Sequence, residues 1–313
     1  MIEVADLVKK YGDFPAVQGI SFKVEEGRIW GLLGPNAAGK TTIMRILAGY
    51  IPATDGTAVV AGFDVFERPN EVKRAIGYLP ETPPLYPEMT VASYLGFVAE
   101  IKGVPSARKK EAVARAVDAT GLGSVRSRLI KNISRGFKQR VGIAQALVHN
   151  PRVLILDEPT VGLDPAQIVE IRELIKSLRG EHTIMLSTHI LAEVTQTCDG
   201  VVIINEGRLM ASGSLEDLTA SYSRRNGVLL RLRDGGEEAA ALFRALPGVA
   251  SAVVASASGA GGDVRIEWER DRDCRDDVAR LVVDKGLGLR EMRSLDMDIE
   301  DLYLKIVSGG LNS

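Results

Sequence analysis

The stretch "GPNAAGKTT" (residues 34–42) decides the fold class of this chain. Four residues separate Gly34 from Gly39, and Lys40 and Thr41 follow directly. The glycines let the backbone wrap around a phosphate, the next helix offers free N–H groups, and the lysine can reach the outer phosphates. The alternative is a chance turn rich in glycine and lysine. Because the stretch lies between a predicted strand and a predicted helix, we predict a nucleotide site.

A nucleotide-hydrolysing site also needs a carboxylate for the metal and a group that orients water. The segment "VLILDEP" (residues 153–159) is an apolar strand that ends in Asp157 and Glu158. We expect Asp157 and the hydroxyl of Thr41 to bind Mg²⁺, and Glu158 to act on the attacking water. Two adjacent carboxylates can also mark a solvated turn. Together with the phosphate-binding loop, they favour hydrolysis.

A histidine follows the next apolar strand, in "LSTHILAEV" (residues 186–194). The carboxyl ends of parallel strands meet at one edge of a sheet, where ligands bind. His189 is therefore expected to sense a γ-phosphate, although a lone histidine is more often structural.

Strands and helices alternate over residues 1–220, which predicts an α/β domain with a parallel sheet. Residues 80–92 carry four prolines and are predicted to run as an extended loop. Helices are predicted near 91–102, 106–119 and 134–150, so that a helical subdomain occupies about 82–150.

A polar, turn-like stretch near residues 219–227 is predicted to begin a second domain, residues 221–313. Its predicted order is strand, helix, strand, strand, helix, strand, with one further helix at 298–307. This order is typical of a small α+β domain of the ferredoxin-like type. The domain has no catalytic cluster, so regulation or dimer support is the expected role.

Charge and cysteine content narrow the function further. The chain has 39 basic and 41 acidic residues, which argues against a dedicated nucleic-acid binder. Its two cysteines are far apart, as expected for a reduced cytosolic protein without a structural disulfide or zinc. The N-terminus has no signal-peptide pattern, and no stretch looks able to span a membrane. A membrane role would require a partner.

Four stretches in this order resemble the ATP-binding subunits of ABC transporters. They are "GPNAAGKTT", "ISRGFKQR" (133–140), "VLILDEPTVGLDP" (153–165) and "STH" (187–189). The resemblance covers residues 2–220 and implies a P-loop NTPase core of the ABC ATPase type. It is greatest to the ATPases of ABC-2-type permeases, with gliding-motility, copper-processing and drug or sodium export relatives.

The resemblance implies ATP and Mg²⁺ as cofactors and a role for each matching residue. Glu158 would be the general base, His189 the γ-phosphate switch, and Asp164 part of the loop that links two opposed sites. Tyr11 would stack on adenine, or would be an ordinary strand-edge tyrosine. The residues that would hold the phosphates are Gly34, Pro35, Asn36, Ala37, Ala38, Gly39, Lys40, Thr41 and Thr42.

The stretch "ISRGFKQR" is predicted to begin a helix, with Ser134 as its N-cap. The free N–H groups near Ser134 and Gly136 would form an anion site. By resemblance, this site closes over ATP held by a second ATPase subunit, in a homodimer or a heterodimer.

Three departures from the family pattern stand out. Ala37 replaces the usual glycine, and its methyl group restricts φ. Glu81 replaces the usual glutamine that touches the metal; its carboxylate can still bind Mg²⁺, with altered coupling or metal dependence. The third is Ser-Arg-Gly-Phe-Lys-Gln in place of Ser-Gly-Gly-Gln.

The resemblance also implies partners and a location. An ABC-2-type integral membrane permease would contact the loop from Pro80 to Pro87 and the helices after it, or this loop is plain surface. The chain would be cytoplasmic and peripheral on the inner face of the cell membrane, with no nucleic-acid partner. The C-terminal "DMDIEDLYLKIV" (296–307) resembles the ending of many such ATPases.

Two other function classes fit less well. A soluble ABC ATPase acting on ribosomes or DNA usually has two cassettes or long coiled-coil insertions, whereas this chain has one phosphate-binding loop and no heptads. A P-loop kinase or GTPase would leave "ISRGFKQR" unexplained, and a guanine-reading Asn-Lys-x-Asp is absent from the sequence.

Overall fold

The computed structural model describes residues 1–222, 226–234, 236–258, 261–268, 272–295 and 303. The chain forms two compact units, Met1–Leu215 and Glu216–Ser313. The helix predicted at 298–307 falls, except for Tyr303, outside the described residues.

The regular elements of residues 1–222 follow the predicted alternation of strands and helices. The strands are β1 (Ile2–Tyr11), β2 (Phe14–Val24), β3 (Ile29–Leu33), β4 (Asp55–Val60), β5 (Phe63–Asp64), β6 (Ile76–Leu79), β7 (Val153–Asp157), β8 (Thr183–Thr188), β9 (Gly200–Asn205) and β10 (Arg208–Ser214). The helices are α1 (Lys40–Leu47), α2 (Pro69–Ala75), α3 (Val91–Ile101), α4 (Ser106–Ala119), α5 (Arg135–Leu147), α6 (Pro165–Ser177), α7 (Leu191–Thr197) and α8 (Leu215–Tyr222).

The strands of the first unit form two sheets. The larger has the order β10-β9-β3-β8-β7-β6; its strands are parallel except β10, which pairs antiparallel with β9. Every residue of β3, β7 and β8 is buried, because both faces of a parallel sheet are covered. The smaller sheet is antiparallel, in the order β2-β1-β4-β5. The predicted α/β class is confirmed.

Helix α1 packs between the two sheets. Its residues Ile43, Met44, Ile46 and Leu47 are fully buried and contact apolar side chains of both sheets. Burial of each such side chain contributes about 1.5–3 kcal/mol to the hydrophobic driving force. The N-terminus of α1 is thereby held at the carboxyl end of β3.

Helices α3, α4 and α5 share a separate apolar core. Val141, Ala144 and Val148 lie buried in it, and Phe137 packs against it, as the spacing in the sequence predicted. Tyr94 closes this core from α3 and donates a hydrogen bond from its hydroxyl to Gln145 Oε1 at 2.8 Å. The N-terminus of α5 is therefore fixed by packing along the helix.

The second unit has the predicted order of elements. They are β11 (Asn226–Leu232), α9 (Glu237–Arg244), β12 (Val249–Ser258), β13 (Gly261–Trp268), α10 (Arg275–Asp284) and β14 (Leu289–Ser294). The sheet is antiparallel with the order β12-β13-β11-β14. Phe243 of α9 and Val278 of α10 are buried against it. The second and fourth strands lie at the edges, which is the ferredoxin-like arrangement.

A buried histidine makes the stability of the first unit depend on pH. Nε2 of His149 donates to the carbonyl of Ile76 at 2.9 Å, and Nδ1 is buried with no hydrogen-bond partner among the described residues. Burial, together with the Lys102 ammonium, lowers the pKa of His149 to about 4 from its usual 6.5. The folded chain thus keeps His149 neutral at a pH where the unfolded chain protonates it.

Above pH 6.5 His149 is neutral in both the folded and the unfolded chain, and the first unit has its full stability. As the pH falls from 6.5 towards 4, only the unfolded chain takes up a proton, so the free energy of unfolding decreases. Between pH 7.5 and pH 5 the wild-type chain should lose about 2 kcal/mol more unfolding free energy than His149→Gln, which does not titrate. Urea unfolding at the two pH values measures this difference. Equal losses in the two proteins would contradict the assignment.

Candidate active site

The backbone of the loop between β3 and α1 restricts the side chain at particular positions. Gly39 adopts φ 104°, and a Cβ built there would lie 2.6 Å from the carbonyl oxygen of Ala16. Glycine is therefore required, because β2 passes directly behind the loop. Ala37 adopts φ 64°, a left-handed conformation that costs a residue with a Cβ about 1–2 kcal/mol. The departure at Ala37 is thus accommodated as backbone strain.

Lys40 lies buried under the loop. Its Nζ donates to the carbonyls of Gly34 at 2.8 Å and Pro35 at 3.1 Å, and lies 3.3 Å from Oε1 of Glu158. These three contacts match the three donors of an ammonium group. The lysine therefore connects the loop after β3 to Glu158, the residue that follows β7.

Asp157, the last residue of β7, is buried beside Thr41. Its Oδ1 accepts from Thr41 Oγ1 at 3.3 Å and from Ser187 Oγ at 2.6 Å. Its Oδ2 is buried and has no hydrogen-bond partner among the described residues. Such a carboxylate oxygen is costly unless a cation or donor completes its contacts. A carboxylate and a hydroxyl side by side are oxygen ligands that fit Mg²⁺.

Glu158 follows β7 with φ 47°, a conformation rare for any residue except glycine. Its N–H donates to Ser187 Oγ at 2.9 Å, so β8 holds the strained backbone in place. Its Oε2 lies 3.0 Å from Nδ1 of His189. The structure therefore brings the lysine, the carboxylate and the histidine together at one edge of the sheet.

Most of these residues line a pocket of about 510 Å³, whereas Gly34, Pro35 and Asp157 do not. The predicted residues that line it are Tyr11, Asn36, Ala37, Gly39, Lys40, Thr41, Thr42, Glu81, Glu158 and His189. Ala38 does not; its side chain is buried in the core and its N–H donates to the carbonyl of Pro35 at 3.2 Å. Phe14, Ala16 and Val161 also line the pocket and were missed by the sequence reasoning. An aromatic two residues after the turn at Gly12 was the available signal for Phe14.

Ser134, Gly136 and Asp164 lie outside this pocket, at the starts of two helices. Ser134 caps α5, its Oγ accepting from the N–H of Phe137 at 3.3 Å, and Asp164 caps α6, its Oδ1 accepting from the N–H of Gln167 at 2.9 Å. A Cβ at Gly136 would lie 2.7 Å from Cδ of Gln167, so glycine lets the two helix ends approach.

Two side chains of "ISRGFKQR" connect α5 to the loop after Glu158. Gln139 is buried and donates from Nε2 to the carbonyl of Pro159 at 2.8 Å. Arg135 donates from Nη2 to the carbonyl of Val161 at 3.3 Å. The loop that leaves the pocket is therefore tied to the N-terminus of α5 by two side chains.

Comparisons with known proteins agree with this geometry. The family model for ABC transporters matches residues 17–161. The bacitracin transport ATP-binding protein of Bacillus licheniformis is 34% identical over 313 residues, covering 99% of this chain and 98% of that protein. The chain belongs to the ABC transporter ATP-binding family. An uncharacterised ABC transporter ATP-binding protein of Bacillus subtilis is 33% identical over 307 residues, covering 98% of this chain and 99% of that protein.

A solved ATP-binding subunit of an ABC transporter has the same fold. It is 32% identical with a TM-score of 0.65, and the match covers 71% of this chain and 93% of that one. These comparisons confirm the predicted family and enzyme class: the chain is an ABC transporter ATP-binding subunit that binds and hydrolyses ATP. The ribosome or DNA alternative finds no support among these relatives. Within the described residues, the helices are too short or too polar to cross a membrane.

Proposed function

We propose that this chain drives an ABC-2-type permease by closing, as a dimer, around two ATP molecules. The observation that carries the proposal is that each chain holds the hydrolytic half of a site, while Ser134 and Gly136 lie outside its own pocket. A second chain in head-to-tail orientation would bring these residues to the γ-phosphate. A homodimer satisfies this arrangement with one sequence.

Within one chain, the phosphates would rest on the loop from Gly34 to Thr42. Lys40 would exchange its carbonyl contacts for the outer phosphates, with Glu158 nearby to accept a proton from the attacking water. His189, whose Nδ1 lies 3.0 Å from Oε2 of Glu158, would place its other ring nitrogen next to the γ-phosphate. Tyr11, half-exposed at the end of β1, is available to stack on adenine.

The oxygen atoms beside the loop support Mg²⁺ as the cofactor. Asp157 and Thr41 would hold the ion, and Glu81, which lines the same pocket, would add a second carboxylate. When bound, Mg²⁺ draws charge from the β- and γ-phosphate oxygens. Residues Asp157 and Thr41 are already in contact, so little rearrangement would be needed to bind it.

A groove of about 830 Å³ supports contact with the permease. It lies between β6 and α3 and is lined by the aromatic rings of Tyr78, Tyr94 and Phe97 and by the cations of Lys73 and Lys102. The proline-rich loop contributes Pro80 and Pro84 among other residues of its rim. We propose that a cytoplasmic segment of the permease occupies it and holds the chain at the membrane.

The second unit is proposed as an accessory domain, beginning near the predicted boundary at 220/221. Its outward sheet face carries ion pairs, such as Arg231 with Asp263 at 3.0 Å and with Glu291 at 3.2 Å. Charged side chains are paired across that face, beside the exposed Val253, and we assign the domain a regulatory or dimer-supporting role.

Ser134→Arg is expected to separate ATP binding from dimer closure. The added side chain would occupy the anion site at the start of α5, while the pocket of the same chain remains unchanged. ATP affinity of the monomer should stay within about twofold of wild type. In a Glu158→Gln background, which blocks hydrolysis and lets the ATP-bound dimer accumulate, the dimer should be absent in size-exclusion chromatography.

Ser106→Arg, at the exposed start of α4, is the matched control and should dimerise normally. Loss of the Ser134 cap alone costs about 1 kcal/mol of helix stability, which thermal unfolding will register separately. Full ATP-dependent dimerisation by Ser134→Arg would contradict the proposed head-to-tail arrangement.

A further inference from the structure

Glu193 is a buried carboxylate that the hydrolytic site described above does not use. Its residue is only 4% exposed, and it lies in the first turn of α7. A buried charge is stable only when its oxygens are hydrogen-bonded or paired. Within the part of the chain that the structure describes, Glu193 forms no ion pair, so its oxygens depend on hydrogen bonds.

Both oxygens of Glu193 accept from threonine hydroxyls. Oε1 accepts from Thr160 Oγ1 at 2.6 Å and Oε2 accepts from Thr188 Oγ1 at 2.6 Å. Both threonines are buried as well. Hydrogen bonds to a carboxylate are shorter and stronger than those between neutral groups, and these two lie at the short end of the range.

The two threonines come from different parts of the active site: Thr160 from the loop after β7, and Thr188 from the end of β8. Thr160 comes two residues after Glu158, and Thr188 comes directly before His189. Glu193 therefore bridges the loop after β7 and the end of β8, where the loop with His189 begins. Between the same loops, Oε2 of Glu158 and Nδ1 of His189 lie 3.0 Å apart.

Helix capping alone does not account for this arrangement. A glutamate in the first turn often reaches back to the backbone N–H that precedes the helix. Here the N–H of Ile190 donates instead to Thr188 Oγ1 at 3.0 Å, which leaves both oxygens of Glu193 for the hydroxyls. One of those hydroxyls lies 33 positions away in the sequence, outside α7 and its approach.

We propose that Glu193 is a positioning residue for ATP hydrolysis, which fixes the spacing of Glu158 and His189 by holding Thr160 and Thr188. The proposal rests on the roles given above to Glu158 and His189. The carboxylate touches neither residue. Instead, it fixes the backbone that follows Glu158, through Thr160, and the backbone that precedes His189, through Thr188.

Glu193→Ala should lower kcat for ATP hydrolysis about 10- to 100-fold, because small displacements of reacting groups have effects of this size. KM for ATP should change less than about threefold, since the phosphate-binding loop is untouched. Glu193→Gln should keep most of the activity. Its amide can still accept from one hydroxyl and donate to the other, because a threonine hydroxyl serves in both senses.

Two further variants test the proposal even if Glu193→Ala folds poorly. Thr160→Val removes one hydrogen bond, whereas Thr188→Val removes two, because Thr188 Oγ1 also accepts from the N–H of Ile190. Both substitutions change the volume little, and each should lower kcat about three- to tenfold. In the Glu193→Ala background, Thr160→Val should have no further effect. Thr195→Ala, on the exposed face of α7, is the control and should behave as wild type.

A second readout does not depend on hydrolysis. The chain contains three histidines, so the ring signals in NMR can be assigned with His149→Gln, His182→Gln and His189→Gln. The His189 signal should move in Glu193→Ala and return to its wild-type position in Glu193→Gln. Wild-type kcat in both Glu193→Ala and Thr160→Val would overturn the proposal. An equal decrease of kcat in Glu193→Ala and Glu193→Gln would overturn it as well.

The Glu158→Gln variant distinguishes an error in the proposed hydrolytic mechanism from an error in the proposed role of Glu193. If Glu158 is not the base, Glu158→Gln hydrolyses ATP normally, whatever Glu193→Ala does. If only the positioning role is wrong, Glu158→Gln is inactive while Glu193→Ala retains wild-type kcat.

Discussion

Glu158→Gln should lower the rate of ATP hydrolysis about 10²- to 10⁴-fold, the usual contribution of a general base. The amide has the same shape but cannot take a proton from water. ATP affinity should not fall, because the change removes a negative charge that lies 3.3 Å from Lys40 and beside the phosphates. The ATP-bound dimer should then accumulate.

Phosphate release under saturating ATP and size-exclusion chromatography measure the two effects. Glu173→Gln is the matched control: this glutamate of α6 is exposed, pairs with Lys176 at 2.9 Å, and should leave both unchanged. A Glu158→Gln protein that turns over at the wild-type rate would exclude Glu158 as the base. One that stays monomeric at saturating ATP would count against the ATP sandwich.

Lys40→Ala should reduce hydrolysis at least about 10³-fold and weaken ATP binding as well, since the lysine supplies charge to the outer phosphates both before and during phosphoryl transfer. The two effects distinguish it from Glu158→Gln, which should retain affinity. The buried contact with Glu158 is lost too, so the melting temperature should fall.

Binding of a fluorescent ATP analogue and phosphate release test this expectation. Lys23→Ala removes an exposed lysine of β2 that pairs with Glu3 at 2.7 Å, and this variant should bind and hydrolyse ATP normally. Wild-type turnover by Lys40→Ala would remove the basis for assigning the phosphate site.

Much of the fold could be predicted because its signals are local. The helix from Lys40, the capping of α5 by Ser134 and the buried strand before Asp157 each depend on neighbouring residues along the chain. The ferredoxin-like order of the second unit could be predicted for the same reason, because its strands and helices differ in the periodicity of their apolar residues.

The candidate site could be predicted only in part. The motifs identified Lys40, Asp157, Glu158 and His189, which the structure brings together. Phe14 and Glu193 were missed, because a lone aromatic or a helical glutamate carries no distinctive pattern. Their neighbours come from other elements of the fold.

The sequence by itself determined the family, the order of strands and helices, and the phosphate-binding loop, because contiguous residues carry these features. Only the tertiary structure decided which side chains touch across the sheet. The order β3-β8-β7 places Ser187 against both Asp157 and Glu158, and holds Glu158 at a positive φ. Those contacts depend on strand neighbours far apart along the chain, which local periodicity does not specify.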